Sequence, residues 1–366
     1  LLHVSKPIPG AREALSFLNE HDIPYILLTN GGGKHETERV LDLTEKLGVN
    51  LGVANFVQSH TPFQDLVDGH NGKGGLRDKT ILVTGADTNK CRRIAEQYGF
   101  RNVVTPADIL LAEPRVWPFE PLLETVYTPA QVQPLPKPIY DPSSGSLSSS
   151  LKIDAMFVFN DPRDWAVDIQ IITDLLLSHK GYLGTYSSHN GNPALPNFGW
   201  QRDGQPPLYF SNADLFWSTG YHLPRFGQGA FQAAVAGVWH RITNGRAELE
   251  RRLMGKPYEE TYRYAERVLE THHRNMLKDT VSSEEGTQLG TVYMVGDNPE
   301  SDIAGANGFQ SGRGTEWCSV LVKTGVWNAE RSGASLEGIH KPKVIVDDVR
   351  AAVRWALERE GWHGIF

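Results

Sequence analysis

The chain has 366 residues, 43 of them acidic and 36 basic, and a net charge of −7. That length can bury a large core and suits two domains, while the charge argues against nucleic acid or an anionic membrane as the main partner. No apolar run approaches the roughly 20 residues that span a bilayer.

In chain order, residues 7–21 read as a helix with Ala11, Ala14, Leu15 and Leu18 on one face. Pro24 to Leu28 is a short apolar run that fits a doubly buried parallel strand. It ends at Thr29-Asn30-Gly31-Gly32-Gly33, and the next helix carries Val40, Leu43 and Leu47 on one face and stops at Gly48. Residues 55–59 form a further strand candidate. This alternation of strand, glycine turn and helix indicates a parallel α/β sheet. Thr80–Gly85 is a strand, followed by a helix through Cys91 to Tyr98. Residues 128–150 are rich in Pro and Ser and read as a flexible loop. Ala155–Phe159 is a strand, Ile169–Leu177 a helix, 185–207 a second long loop, and Leu208–Asp214 a strand ending in polar groups. Phe231–Ile242 is helical. A helix with Tyr258, Tyr262, Ala265 and Leu269 on one face follows Gly255-Lys256-Pro257. Thr291–Val295, Ser319–Val322 and Lys343–Val346 are the last strands. The division expected is an α/β core of residues 1–79 and 227–366, with an α/β unit of residues 80–226 inserted into it.

Two cysteines, Cys91 and Cys318, make neither a disulfide framework nor a zinc site and point to a reducing compartment. The 13 histidines show no ligand spacing, and His272-His273 lies in a polar helical stretch, so they read as surface residues. The chain starts at Leu1-Leu2-His3 with no Met, signal peptide or Arg-rich transit segment, as a fragment or a processed form would.

The stretch from Met294 to Asn307 carries the strongest chemistry. A buried strand stops at Gly296, and Asp297 and Asp302 follow on the turn into a small-residue helix start. Carboxylates at the carboxyl end of a parallel strand lie where open α/β sheets bind ligands. Two hard oxygen ligands on one turn suit Mg²⁺, which keeps water and phosphate in its shell. An acidic helix N-terminus, favourable to the macrodipole alone, is the plainer alternative. Thr29-Asn30-Gly31 offers a hydroxyl, an amide and free backbone N–H groups at a helix start, a ready anion site, or a plain strand-to-helix turn. It is no P-loop, because Lys34 is followed by His35 and no Gly has the required spacing. Lys256, before Pro257, sits at a strand or loop end if Pro257 opens the helix. There it can neutralise a phosphate or a carboxylate, or be an ordinary surface lysine.

The order Leu27-Leu28-Thr29-Asn30-Gly31-Gly32-Gly33, Gly255-Lys256-Pro257, then Gly296-Asp297-Asn298-Pro299-Glu300-Ser301-Asp302-Ile303 and Val320-Leu321-Val322-Lys323-Thr324-Gly325-Val326 resembles the haloacid dehalogenase (HAD) superfamily over nearly the whole chain. The likeness is greatest to class IIA hydrolases of the cat-eye-syndrome critical-region type, fungal members included. It implies a Rossmann-like parallel sheet with helices on both faces and a C2-type α/β cap between the second and third motifs. It also implies a Mg²⁺-dependent phosphohydrolase acting on a small phosphorylated metabolite, in which an Asp on the first strand forms an aspartyl-phosphate and a second Asp two residues on is the acid and base. Carried over by position, Thr29 and the backbone of Asn30 and Gly31 hold the phosphoryl oxygens, Asn30 fixes the loop, and Lys256 balances charge. Asp297 binds Mg²⁺, and Asp302 does so directly or through water. Ser211-Asn212-Ala213-Asp214 resembles, more loosely, a cap segment facing the site. Relatives of this type are linked to mitochondria and phospholipid metabolism, and a homodimer through the cap is compatible with the resemblance.

The family's D-x-D-G motif is absent, and Leu1-Leu2 look like the letters just after it. Asp22 precedes the wrong strand and Asp42 lies within a helix, so neither replaces the nucleophile. The expectation is therefore a chain that lacks the first, central strand, with open ladder groups on both neighbours, and that is unstable or inactive as it stands. A non-catalytic binding protein on the same fold is the alternative, and a phosphotransferase or a C–P or C–halogen hydrolase is compatible with the core motifs.

Overall fold

The computed structural model describes the chain except residues 4–5, 70–73, 120–121, 144, 218, 278–287, 328–335 and 365–366. It opens on an antiparallel pair, β1 (Leu2–His3) and β2 (Lys6–Pro7). Helix α1 (Ala11–Glu20) starts at Ala11 because Gly10 turns the chain with φ 82°, and it buries Ala11, Ala14 and Leu15. Strand β3 (Leu27–Leu28) connects through α2 (Glu36–Leu47) to β4 (Phe56–Val57), and the two strands pair in parallel. Gly48 ends α2 in the left-handed conformation at φ 65°.

After the single turn α3 (Asp65–Asp68) the inserted unit follows: β5 (Thr80–Thr84), α4 (Thr88–Tyr98), β6 (Asn102–Val104), α5 (Pro106–Ala112), α6 (Leu122–Thr125), β7 (Ala155–Val158), α7 (Trp165–Leu177) and β8 (Leu208–Phe210). A short hairpin comes next, β9 (Phe216–Trp217) against β10 (Arg225–Phe226), then α8 (Gln228–Ile242) and β11 (Arg252–Leu253). Five strands pair in parallel in the order β11-β8-β7-β5-β6. Their side chains alternate. Leu82, Met156, Val158, Leu208 and Phe210 face α5, α7 and α8, while Ile81, Val83, Ala155, Phe157 and Tyr209 face α4 and the Phe63–Val67 segment. Both faces are covered, as a parallel sheet requires.

The core resumes with α9 (Glu259–Leu277), β12 (Thr291–Gly296), α10 (Ala304–Gly308), β13 (Glu316–Val322), β14 (Val344–Val346) and α11 (Val349–Arg359), and β12-β13-β14 form a parallel sheet. This is the Rossmann-like core with flanking helices and an inserted α/β unit that the sequence implied.

The inserted unit is larger than residues 80–226. Phe231, Val235 and Trp239 of α8 pack into its core, and β11 extends its sheet beside β8, so it runs to Met254. Among the described residues the segments 128–150 and 185–207 carry no sheet strand, yet the first is tied down: Gln133 N donates to Asp108 Oδ1 at 2.7 Å, and Leu151 N to Pro138 O at 2.7 Å.

The core sheet is split. Among the described residues β3 pairs only with β4, and β12 only with β13. The bare edges, Tyr25–Leu28 and Thr291–Gly296, line a cavity of about 530 Å³. The run 24–28 was expected to be a doubly buried strand, but only Leu27 and Leu28 pair, and both are half-buried. The reason is the missing neighbour. A strand without a partner on one edge leaves backbone groups unpaired and one flank of its side chains uncovered. The apolar packing reflects this, since residues from β12, β13 and the helices around them fall into three small clusters rather than one.

Candidate active site

Thr29 follows β3, Asp297 follows β12 and Lys256 follows β11, so three strand ends bring them to one crevice. The lysine is central. Its Nζ lies 2.5 Å from Asp302 Oδ1 and 3.3 Å from the carbonyl of Leu28. The side chains of Lys256 and Asp302 are only 10% and 4% exposed. Burial pulls the lysine pKa down, but the carboxylates of Asp302, Asp214 and Asp297 more than offset this, so it lies above the ordinary value and the ammonium is held charged. Pro257 does not open a helix: it lies in a turn, and α9 starts at Glu259.

Asn30 ties the glycine loop to the lysine loop. Its Oδ1 accepts from Lys256 N at 2.7 Å, and its Nδ2 donates to Lys256 O at 2.9 Å. The same Nδ2 donates to Asp214 Oδ1 at 3.2 Å. Asn30 is 8% exposed, and this pairing satisfies its amide. Thr29 Oγ1 accepts from Gly31 N at 3.0 Å, which leaves the hydroxyl proton free to donate to a ligand.

Asp302 turns back under the strand end. Its Oδ2 accepts from the backbone N–H of Asp297 and of Asn298, each at 3.0 Å. Gly296 permits this, because a Cβ there would stand 2.2 Å from Asp302 Oδ2. Asp297 Oδ2 accepts from Val326 N at 2.7 Å, and Gly325 is its counterpart, since a Cβ there would lie 1.9 Å from the same oxygen. Among the described residues Asp297 Oδ1 has no hydrogen-bond partner, and it suits a hard cation. Asp302 is occupied by Lys256 and two amides. Among the described residues no group of three or more His, Cys, Asp or Glu side chains could hold a metal. The chain's own donors thus fit part of a magnesium shell, with Asp297 as the open ligand.

The cap supplies Asp214, from the segment likened to one that faces the site, and two residues that sequence reasoning did not single out, Asn160 and Asp161. Asn160 and Asp161 follow β7, and Asp214 lies beyond β8, so the carboxyl ends of the cap strands face those of the core. Asn160 packs against the glycine loop, where a Cβ on Gly33 would stand 2.7 Å from its Nδ2. Desolvation pushes the Asp214 carboxyl up to about 6, and burial also raises Asp161. The criterion that picked out Asp297, a carboxylate just past a strand, would have found Asp161 as well. A second cluster joins cap to core. Tyr98 Oη donates to Glu36 Oε1 at 2.5 Å and lies 2.6 Å from His60 Nδ1, while Thr61 Oγ1 donates to Glu36 Oε1 at 2.6 Å. His60 is fully buried, not a surface residue, and desolvation lowers its pKa to about 4, so the ring is neutral.

Comparison with known proteins agrees with this geometry. Residues 1–101 match the family described as haloacid dehalogenase-like hydrolase, and residues 253–352 one described as HAD-hydrolase-like. A mitochondrial hydrolase of Saccharomyces cerevisiae is 38% identical, over 98% of this chain and 93% of its own length. A cardiolipin synthase (CMP-forming)/mitochondrial hydrolase fusion protein of Schizosaccharomyces pombe is 35% identical over 98% of this chain, which spans about half (51%) of it. Among solved structures, a glycerol phosphate phosphatase of Mycobacterium tuberculosis in complex with magnesium shares the fold. Its TM-score is 0.53 and its identity 17%, with 96% of this chain and 74% of that one covered.

Proposed function

Because the chain belongs to the haloacid dehalogenase-like hydrolases, we propose that it provides the phosphate- and metal-binding half of a Mg²⁺-dependent phosphohydrolase for a small phosphorylated metabolite. The observation that carries this is the buried Lys256 ammonium, held among Asp302, Asp297 and Asp214 at the open end of the split sheet. A fixed, desolvated cation there stabilises charge on a transferring phosphoryl group.

In this reading the Thr29 hydroxyl donates to a phosphoryl oxygen, Asn30 keeps the Lys256 backbone in place, and Lys256 balances the phosphate charge. Asp297 would hold the magnesium, and Asp302, engaged by Lys256, would support the turn that presents it. When bound, Mg²⁺ would neutralise phosphate charge and align the phosphorus for attack. The attacking carboxylate is not among residues 1–366. It belongs on an extended segment filling the slot between β3 and β12, whose carboxyl end would present it to Thr29, Lys256 and Asp297. There it would form the aspartyl-phosphate, and a second Asp would move the proton. The names of the curated relatives support a mitochondrial setting and a link to phospholipid metabolism.

The second reading, a non-catalytic binding protein on this fold, is favoured by the incomplete donor set among the described residues. A phosphate-release screen with and without Mg²⁺ separates the two, on residues 1–366 and on a form preceded by a D-x-D-G strand. Hydrolysis should require the added strand and fall about 10²- to 10³-fold in Lys256→Met and Asp297→Asn. Equal rates for Asp297→Asn and the parent would overturn the metal assignment. No activity in either form, with phosphate binding retained, would favour the binding protein.

A further inference from the structure

The hairpin β9–β10 stands out from the cap immediately beyond Asp214, whose carboxylate meets Asn30 in the crevice. Its side chains are apolar and unusually bare. Phe216, Trp217, Leu223 and Phe226 are 52%, 51%, 52% and 63% exposed, and Leu215 and Tyr221 are about half exposed too. The aromatic tip is ordered by its own contacts. Phe216 and Phe226 stack at 5.7 Å, Trp217 Nε1 donates to Phe226 O at 3.2 Å, and the Arg225 guanidinium lies 4.6 Å above the Tyr221 ring. From Leu215 to Phe226 there is no carboxylate; Arg225 and His222 are the charged or titratable groups. The acid that precedes it in sequence, Asp214, is directed to Asn30 rather than along the hairpin.

A patch of this kind needs an occupant. A second copy of the chain is a poor one. A stable interface takes about 800 Å² and 20–30 residues from each partner, and this hairpin has twelve residues, Leu215 to Phe226. A phospholipid surface fits better. Trp and Tyr combine an apolar ring with a polar edge and favour the headgroup boundary. Leu and Phe enter the acyl region beside them, and Arg225, in a run without carboxylates, suits the lipid phosphates. The net charge of −7 opposes chain-wide attraction to an anionic membrane, but it does not oppose insertion of an acid-free apolar tip.

We propose that the β9–β10 hairpin docks the protein on a phospholipid surface, so that the crevice at its base takes a phosphomonoester carried by a lipid. The docking is independent of the chemistry, whereas the lipid-borne substrate rests on the phosphohydrolase reading.

The test is co-sedimentation of the protein with vesicles of phosphatidylcholine mixed with phosphatidylglycerol, comparing the parent with Phe216→Ser/Trp217→Ser. The vesicle partition coefficient should fall about tenfold or more, since two half-buried aromatic side chains lose their lipid contact. In the form preceded by a D-x-D-G strand, hydrolysis of soluble p-nitrophenyl phosphate should be unchanged by the same two substitutions. Where the double variant does not fold, vesicles of brominated lipid decide. They should quench the parent more than Trp217→Phe, which keeps the apolar ring but removes one indole. Absence of parent binding, equal quenching, or a parent dimer that the double variant abolishes would overturn the docking. Vesicle binding without p-nitrophenyl phosphate hydrolysis by the strand-completed form would uphold the docking and overturn the phosphohydrolase reading instead.

Discussion

Replacing Lys256 by Met tests the centre of the site most directly. The substitution keeps the length of the apolar stem and removes the ammonium 2.5 Å from Asp302 Oδ1. Asp302 is then a carboxylate, 4% exposed, without its counter-ion. Breaking a buried pair on one side costs about 3–5 kcal/mol. Here the lower end applies, because Oδ2 still accepts from two backbone N–H groups at 3.0 Å. Asp302→Asn should cost a similar amount, since it leaves a buried ammonium facing an amide. The double variant should then lose less than the sum of the singles, with a coupling of roughly 2 kcal/mol. Urea unfolding followed by circular dichroism measures all four forms. Single losses below about 1 kcal/mol, or additivity within about 0.5 kcal/mol, would refute the claim that this pair is a desolvated, mutually dependent unit. Lys256→Arg should not restore function, because a planar fork does not replace a compact ammonium in that space.

Gly325→Ala should displace the Asp297 carboxylate, which a Cβ would approach to 1.9 Å. The Mg²⁺ dependence of hydrolysis should weaken by tenfold or more, estimated roughly from the loss of one fixed charge contact, with little change in far-UV circular dichroism. Asp168 is buried and accepts from Thr84 Oγ1 at 2.7 Å, and desolvation raises its pKa to about 7 from 3.8. The folded state therefore keeps a proton that the unfolded state gives up above pH 4, so stability from this group is present at low pH and lost as pH rises towards 7. The loss is about 4 kcal/mol, and Asp168→Asn should abolish that slope in urea unfolding between about pH 4 and 7. His60 acts in the opposite direction. Its pKa is lowered to about 4 from 6.5, so the unfolded state gains a proton first and stability falls as pH drops from about 6.5 to about 4. Tyr98→Phe should lower stability by about 1–3 kcal/mol through the unpaired Glu36 and His60 groups, measurable by thermal melting. Asp214→Asn should remove an acid-side fall in kcat/KM near pH 6, where this carboxyl titrates beside the site.

Much of the site was legible from local pattern. A strand that stops at Gly296 and passes into two carboxylates is recognisable because strand ends in parallel sheets are ligand positions, and the order of the three motifs supplied the family. Element types followed from periodicity wherever one face or both faces of an element are buried. The α11 helix, with Ala352 and Val353 buried, was overlooked although its pattern was there to read. Local pattern does not place the end of the inserted unit, because α8 looks like any apolar helix. Whether its face meets the cap or the core depends on where β11 pairs, and two strand residues carry no signal for that.

The sequence by itself determined the parallel α/β character, the candidate residues Thr29, Asn30, Lys256, Asp297 and Asp302, and the absence of a D-x-D-G motif from residues 1–366. Only the tertiary structure decided that Asn30 clasps the Lys256 backbone, that Asp302 is spent on Lys256 and two amides while Asp297 keeps an open oxygen, that His60 is a buried neutral group tied to the cap, and that a slot of about 530 Å³ separates β3 from β12. The contacts among them join residues up to 226 positions apart. Local propensity says which residues can form such contacts, and packing in three dimensions selects the ones that form.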